Sequence, residues 1–107
     1  MPSIKSVTAR ELVTGFTGHY VHGKDLTLGY IEIKAGNELP QHSHIHEQIT
    51  YILEGQLDMV IGGEPVSLTA GSYYIIPSGI SHGAFAPVDC KLIDVFNPVR
   101  DEYRNAE

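Results

Sequence analysis

The chain has 107 residues, 42 % of them apolar, with a formal charge of −6 at neutral pH and a single cysteine. That length supports one domain with one modest core, in which roughly two-thirds of the unfolded chain's surface is buried. Seven thinly spread Lys and Arg residues exclude the cationic footprint of a nucleic-acid-binding protein, and one Cys excludes both an internal disulfide and a cysteine-based zinc framework.

The first residues, MPSIKSVTARE, contain no apolar segment of signal-peptide type, and no apolar run approaches the ~20 residues that span a bilayer. A soluble, cytoplasmic protein with no membrane partner is the expectation. Residues 6–13, SVTARELV, are one of two stretches that could be helical. Beyond them Gly and Pro turn signals recur at short intervals, at Gly15, Gly18, Gly23, Gly29, Gly36, Gly55, Gly62, Gly63, Gly71, Pro77, Gly79 and Pro87. Between these lie short β-branched and aromatic runs, LTLGYIEIK, QITYILEG, QLDMVIG, EPVSLTA, SYYIIP, GAFAPV and CKLIDVF. This spacing is that of an all-β sandwich or barrel with few or no helices. QLDMVIGGEPVSL reads as a hairpin, because Gly62-Gly63 supplies the φ > 0 positions of a tight turn, and Leu57, Met59 and Ile61 share one face of its first strand. The final PVRDEYRNAE could be a short helix or a frayed tail. No repeat, linker or low-complexity segment interrupts the single domain expected over residues 1–107.

The stretch PQHSHIHEQITYILEG, residues 40–55, concentrates chemistry. In a strand, His42 and His44 lie on one face with Cα atoms ~6.6 Å apart, close enough for both imidazoles to reach one ion at ~2.0–2.1 Å. Gln48 joins them only if the chain bends between Ile45 and Glu47, which places His46 at the pocket's rim. Glu47 is the competing oxygen ligand. Cys90, by contrast, reads as a small half-buried hydrophobe late in a strand.

Gly36, five residues, His42, one residue, His44, three residues, Gln48, six residues, Gly55 resembles the first motif of the cupins, with Gln where most members carry Glu. Gly71, five residues, Pro77, one residue, Gly79, two residues, His82 resembles the second motif, whose frequent terminal Asn is here Ala86. Together they cover residues 36–86, about half the chain. The resemblance implies a cupin jelly-roll barrel of two antiparallel sheets holding one divalent metal through His42, His44, Gln48 and His82. Three imidazoles and one oxygen donor without a thiolate suit Mn, Fe, Co, Ni or Zn. The neutral Gln leaves the ion's full +2 charge, which favours an anionic ligand and stronger Lewis acidity. The competing reading is a barrel that has lost its metal and keeps the histidines as polar pocket lining.

In CKLIDVFNPVR, residues 90–100, Leu92, Asp94 and Phe96 share one face of a strand and Ile93 and Val95 the other. Asp94 either faces solvent, with Ile93 and Val95 in the core, or points into the lumen, where a partly desolvated carboxyl group can exchange protons near neutral pH. Whichever face is outside carries large apolar residues, and this favours a homodimer built by sheet packing.

HSHIHEQITYILEGQ together with IDVFNPVRDEY resembles the small cupins of pectin and alginate degradation, the KdgF type. The resemblance implies a metal-dependent isomerase that linearises 4,5-unsaturated uronate monosaccharides to 4-deoxy-5-keto-uronates, with Asp94, Phe96 and Arg100 acting on the small anionic sugar acid. An Fe-dependent dioxygenase and a non-catalytic ligand-binding or sensory module are the rival readings. His19 and His22 read as surface residues, and Tyr103 has no assigned role.

Overall fold

In the computed structural model, which describes residues 2–104, ten strands carry almost all of the regular structure. They are β1 (Arg10–Val13), β2 (Phe16–His22), β3 (Thr27–Ile33), β4 (Glu38–His42), β5 (Glu47–Glu54), β6 (Gln56–Ile61), β7 (Glu64–Thr69), β8 (Tyr73–Ile76), β9 (His82–Phe85) and β10 (Cys90–Asn97). Single-turn 3-10 helices occupy Ile4–Ser6 and Asp101–Tyr103. Among the described residues no helix is long and apolar enough to cross a membrane.

The strands form two antiparallel sheets, a six-stranded one in the order β1-β2-β3-β10-β5-β8 and a four-stranded one in the order β4-β9-β6-β7. Alternation along each strand sends one set of side chains between the sheets. From β6 these are Leu57, Met59 and Ile61, all buried as the hairpin pattern requires. Gly62 and Gly63 turn the hairpin at φ of 55° and 84°, values that an L side chain rarely adopts.

Register divides the interior into rows. Leu92 pairs with Ile31 on one side and Ile52 on the other, while Asp94 pairs with Gly29 and Thr50, and Phe96 with Thr27 and Gln48. The interior is therefore aliphatic at one end of β10 and polar at the other. Its polar end opens into a cavity of about 100 Å³ lined from both sheets.

The N-terminal stretch departs from the helical expectation. Only Ile4–Ser6 turns, and Arg10–Val13 is an edge strand against β2, so pairing to a sheet edge overrides local helix preference. β2 itself is obscured in the sequence by Gly18, which reads as a turn signal. Gly18 is no turn residue; a Cβ there would lie 2.5 Å from the Tyr20 hydroxyl oxygen, and one on Gly29 would lie 2.6 Å from the Tyr20 ring. Both glycines leave room for that ring.

As far as Arg104, the stretch after β10 is no frayed tail. Arg100 is only 7 % exposed, and its backbone N–H donates to the fully buried Thr27 Oγ1 at 2.8 Å. The last three residues of the PVRDEYRNAE stretch lie outside the described residues. Cys90 also differs from expectation, since it opens β10 and is fully buried. On the outer face of the six-stranded sheet, Val21, Leu28, Val95, Ile49 and Ile75 form one cross-strand row, and His19, Tyr30, Ile93, Tyr51 and Tyr73 form the next. Tyr73, Ile75, Tyr51 and Ile49 are exposed there.

Candidate metal centre

β4 ends at His42, whose cross-strand partner on β9 is His82, so the sheet itself sets these two rings side by side with centroids 4.3 Å apart. The chain leaves the strand after His42 and bends at Ile45 and His46 before β5 starts. His44 therefore lies outside the strand in which the sequence places it. The bend carries its ring back to 4.9 Å from His82, and one ring nitrogen from each of His42, His44 and His82 falls within 4.8 Å of the others.

The same bend starts β5 so that Gln48 faces inward and Glu47 outward. Gln48, and not Glu47, is thus the oxygen donor beside the histidines, with Oε1 3.1 Å from His44 Nε2. His46 is more than a rim residue: it is buried, and its ring meets Phe96 and His44 nearly edge-on.

Hydrogen bonding at the far side of each ring assigns the tautomers. His42 Nδ1 faces Pro40 O at 3.0 Å, His44 Nδ1 faces His46 O at 2.9 Å, and His82 Nδ1 faces Ile80 O at 2.9 Å. A carbonyl accepts only, so each Nδ1 carries the proton and each Nε2 presents a lone pair, the second-sphere pattern of ligating histidines. Burial lowers the His44 pKa, with the Arg100 charge adding to the effect, and burial pushes His82 down to about 4. Both rings are neutral at physiological pH, as metal ligation requires.

Gln48 Nε2 donates to Thr50 Oγ1 at 2.9 Å and Asp94 Oδ1 at 3.2 Å, which turns its Oε1 toward the imidazoles. The contact between His44 Nε2 and Gln48 Oε1 then brings two lone pairs together. Two donors bound at ~2.1 Å to one ion lie ~3.0–3.4 Å apart, so a cation between them relieves the conflict. His82 Nε2 is buried with no hydrogen-bond partner among the described residues and lies at the same cavity. These residues fit a divalent ion.

Asp94 points into the lumen, which settles the choice between its two faces. It is half-buried and lines the cavity. Burial raises its carboxyl to about 6, against the opposing influence of the hydrogen bonds from Thr50 and Gln48 and of the Arg100 charge. Thr50 Oγ1 donates at 2.6 Å to the same oxygen that Gln48 reaches, Oδ1, and no described residue engages Oδ2. Phe96 and Arg100 line the same cavity, as do Tyr20 and Tyr103.

Sequence reasoning missed Thr50, Tyr20 and Tyr103. Thr50 was within reach, because it follows Gln48 by two in one strand and must share its face. The tyrosines carried no such signal. Tyr103 reaches the lumen through the return of the chain end, with its ring 4.7 Å from that of Tyr20. His19 and His22 are half-buried and neither lines the cavity: His22 Nδ1 is 2.8 Å from Thr27 Oγ1, and His19 Nδ1 bonds Val7 O on the outer side of the sheet.

A cupin-domain family model matches residues 29–96, the span from the row of Asp94 and Gly29 through both histidine segments. The chain belongs to the cupin family. This cupin is 32 % identical over 81 residues to the pectin degradation protein KdgF of Dickeya dadantii, covering 74 % of each chain. It is 37 % identical over 67 residues to the H2HPP isomerase of Bacillus subtilis, a match covering 61 % of this cupin but only 28 % of that protein's length. Among solved structures, KdgF from Halomonas sp. superposes with a TM-score of 0.86 at 27 % identity, over 94 % of this cupin and 95 % of that chain.

Proposed function

We propose that this cupin is a metal-dependent isomerase that linearises 4,5-unsaturated uronate monosaccharides to 4-deoxy-5-keto-uronates. The observation that carries the proposal is the convergence, in one small cavity, of three imidazole lone pairs and the Gln48 oxygen with the Asp94 carboxyl and the Arg100 guanidinium. Homology to KdgF supplies the reaction class. A cavity of about 100 Å³ falls well below the ~300–1,000 Å³ of sites that take drug-sized ligands, which supports a sugar monomer over a longer sugar chain.

The reaction moves one proton and opens one ring. The hemiacetal hydroxyl at C1 loses its proton, the bond from C1 to the ring oxygen breaks to leave an aldehyde, and the ring oxygen becomes an enolate at C5. Protonation at C4 then gives the C5 ketone, so substrate and product are isomers and no oxidant or carrier enters. Asp94 acts as the shuttle, taking a proton from oxygen and delivering one to C4, for which a carboxyl held near pH 6 is matched. Arg100 receives the substrate carboxylate in a bidentate pair, and Phe96 packs against the apolar face of the sugar. His42, His44, Gln48 and His82 would hold a divalent ion of the Mn, Fe, Co, Ni or Zn group. When bound, that ion supplies Lewis-acid stabilisation of developing negative charge, undiminished by the neutral Gln48.

The test mixes metal-loaded protein with unsaturated uronate monomers and follows loss of the enol absorbance. Turnover without oxygen consumption, reduced ~10²–10⁴-fold in Asp94→Ala with metal still bound, is expected. Absence of turnover, or oxygen uptake in an iron-loaded sample, refutes the isomerase reading. In the same reading the protein works as a homodimer, a second copy covering the apolar rows on the outer face of the six-stranded sheet. A single-chain mass in sedimentation equilibrium at micromolar concentration would count against that assembly.

A further inference from the structure

Arg100 is held more firmly than a residue beyond the last strand needs to be. Its guanidinium carbon lies 4.8 Å from the Phe96 ring centroid and 4.1 Å from that of Tyr103, within cation–π range of both. The two rings are nearly perpendicular, with centroids 6.1 Å apart, so the guanidinium occupies the corner between them. Its Nε donates to Glu102 Oε2 at 3.1 Å, and its backbone N–H to Thr27 Oγ1. The segment that carries Tyr103 is itself tied down. Arg10 Nη1 donates to the carbonyls of Glu102 and Arg104, both at 3.1 Å.

These contacts use the backbone, the Nε and the approach of the guanidinium carbon to the two rings. No hydrogen bond from a described residue engages Nη1 or Nη2, and Arg100 lines the cavity. The edge left over is the one that pairs bidentately with a carboxylate. A guanidinium on a flexible stem loses rotamer freedom when it binds, and one already seated loses less.

We infer that Tyr103 is a positioning residue, whose ring forms with Phe96 the corner that presents the Nη edge of Arg100 to a ligand carboxylate. The inference rests on the reading of the lumen as a uronate site and adds to it the device that recognises the acid group. Because the ring performs this task, the Tyr103 hydroxyl is dispensable for it. Arg10, on the far strand of the six-stranded sheet, acts in the same direction by holding the segment closed.

Calorimetric titration of the full-length, metal-loaded protein with galacturonate and with uncharged galactose separates carboxylate recognition from general sugar binding. Tyr103→Leu should weaken galacturonate about tenfold and leave galactose unchanged, while Tyr103→Phe stays within about twofold of wild type. With unsaturated uronate the same Leu variant should raise KM and leave kcat nearly constant. Should Tyr103→Leu fold poorly, Arg10→Gln serves in its place and should weaken galacturonate selectively, by less. An unchanged preference for galacturonate over galactose in these variants overturns the inference, as does an equal loss in Tyr103→Phe or a wild type that ignores galacturonate. A wild type that binds galacturonate through Tyr103 yet turns over no unsaturated uronate leaves the inference standing and removes the isomerase. Turnover insensitive to Tyr103→Leu does the reverse.

Discussion

The two ends of the interior are built on the same strands and hold opposite chemistry. At one end Leu92, Ile52, Ile31 and Ile33 meet Leu57 and Leu68 of the facing sheet, all buried. At the other, Asp94, Thr50 and Gln48 share hydrogen bonds beside the three histidines, around a cavity. Strand β10 serves both, with Cys90 and Leu92 in the first and Asp94 and Phe96 in the second. One step of two residues along a strand therefore separates aliphatic rows from polar ones, although Leu92, Ile31, Ile33 and Leu57 supply cavity wall as well as core. Most buried donors and acceptors of the polar end pair with one another or with backbone carbonyls; the exceptions include the lone pairs that a cation would take and His46 Nδ1, which is buried with no partner among the described residues.

The largest stability effect should come from the aliphatic end. Ile52, wholly buried, should cost about 2–5 kcal/mol on replacement by Ala, read from denaturant unfolding, while the protein still binds metal with its normal stoichiometry. Loss of the metal in that variant would mean the two ends are not separable. His82→Ala should do the converse. Metal affinity falls at least ~100-fold in equilibrium dialysis, more than loss of a second-sphere partner costs, and metal-free stability changes little. A metal-free protein that unfolds outright on this change would contradict the division.

Thr50→Val keeps the shape and removes the hydroxyl that bridges Gln48 and Asp94. It should weaken metal binding about tenfold by freeing the amide that aims Oε1, with stability altered by about 1 kcal/mol. An unaltered metal affinity would show that Gln48 needs no such support.

The smallest effect concerns Cys90. Burial, with the Asp94 charge adding, pushes its thiol up to about 11, so the native state favours the neutral form. The stability this contributes is complete below the unfolded thiol's ~8.5 and is lost as pH rises toward 11. Wild type should therefore lose stability across that window relative to Cys90→Ala, and its thiol should resist alkylation at pH 8 until the protein unfolds. Rapid labelling of the folded protein would place Cys90 outside the aliphatic end.

Much of the site was legible because its residues lie close together in the chain or repeat with the strand period. His42 and His44 could be paired by spacing, the bend before Gln48 followed from the reach of two side chains, and Leu92, Asp94 and Phe96 shared a face by alternation. Which face was inside was not legible, because Ile93 and Val95 are as apolar as Leu92 and Phe96. Strand β2 escaped notice for a related reason. Its Gly18 looks like a turn signal, and only the position of the Tyr20 ring shows that it, with Gly29 of β3, makes room for an aromatic group. Arg100 and Tyr103 follow the last strand with no periodicity to place them; only the family resemblance assigned Arg100 to the substrate, and nothing assigned Tyr103 a role.

From sequence alone came the class of the fold, the hairpin at Gly62-Gly63, the family through two spaced motifs, and the ligand set which that family implies. These depend on local geometry, in which strand period and turn dihedrals leave few choices. The tertiary structure decided the tautomer of each histidine, the orientation of Gln48, the burial of Asp94 and the seating of Arg100 between Phe96 and Tyr103. Each depends on atoms contributed by distant segments, such as the hydroxyl of Thr27 beneath Arg100 or the carbonyl of Ile80 behind His82. Contacts of that kind arise only when both sheets and the returning chain end have come together.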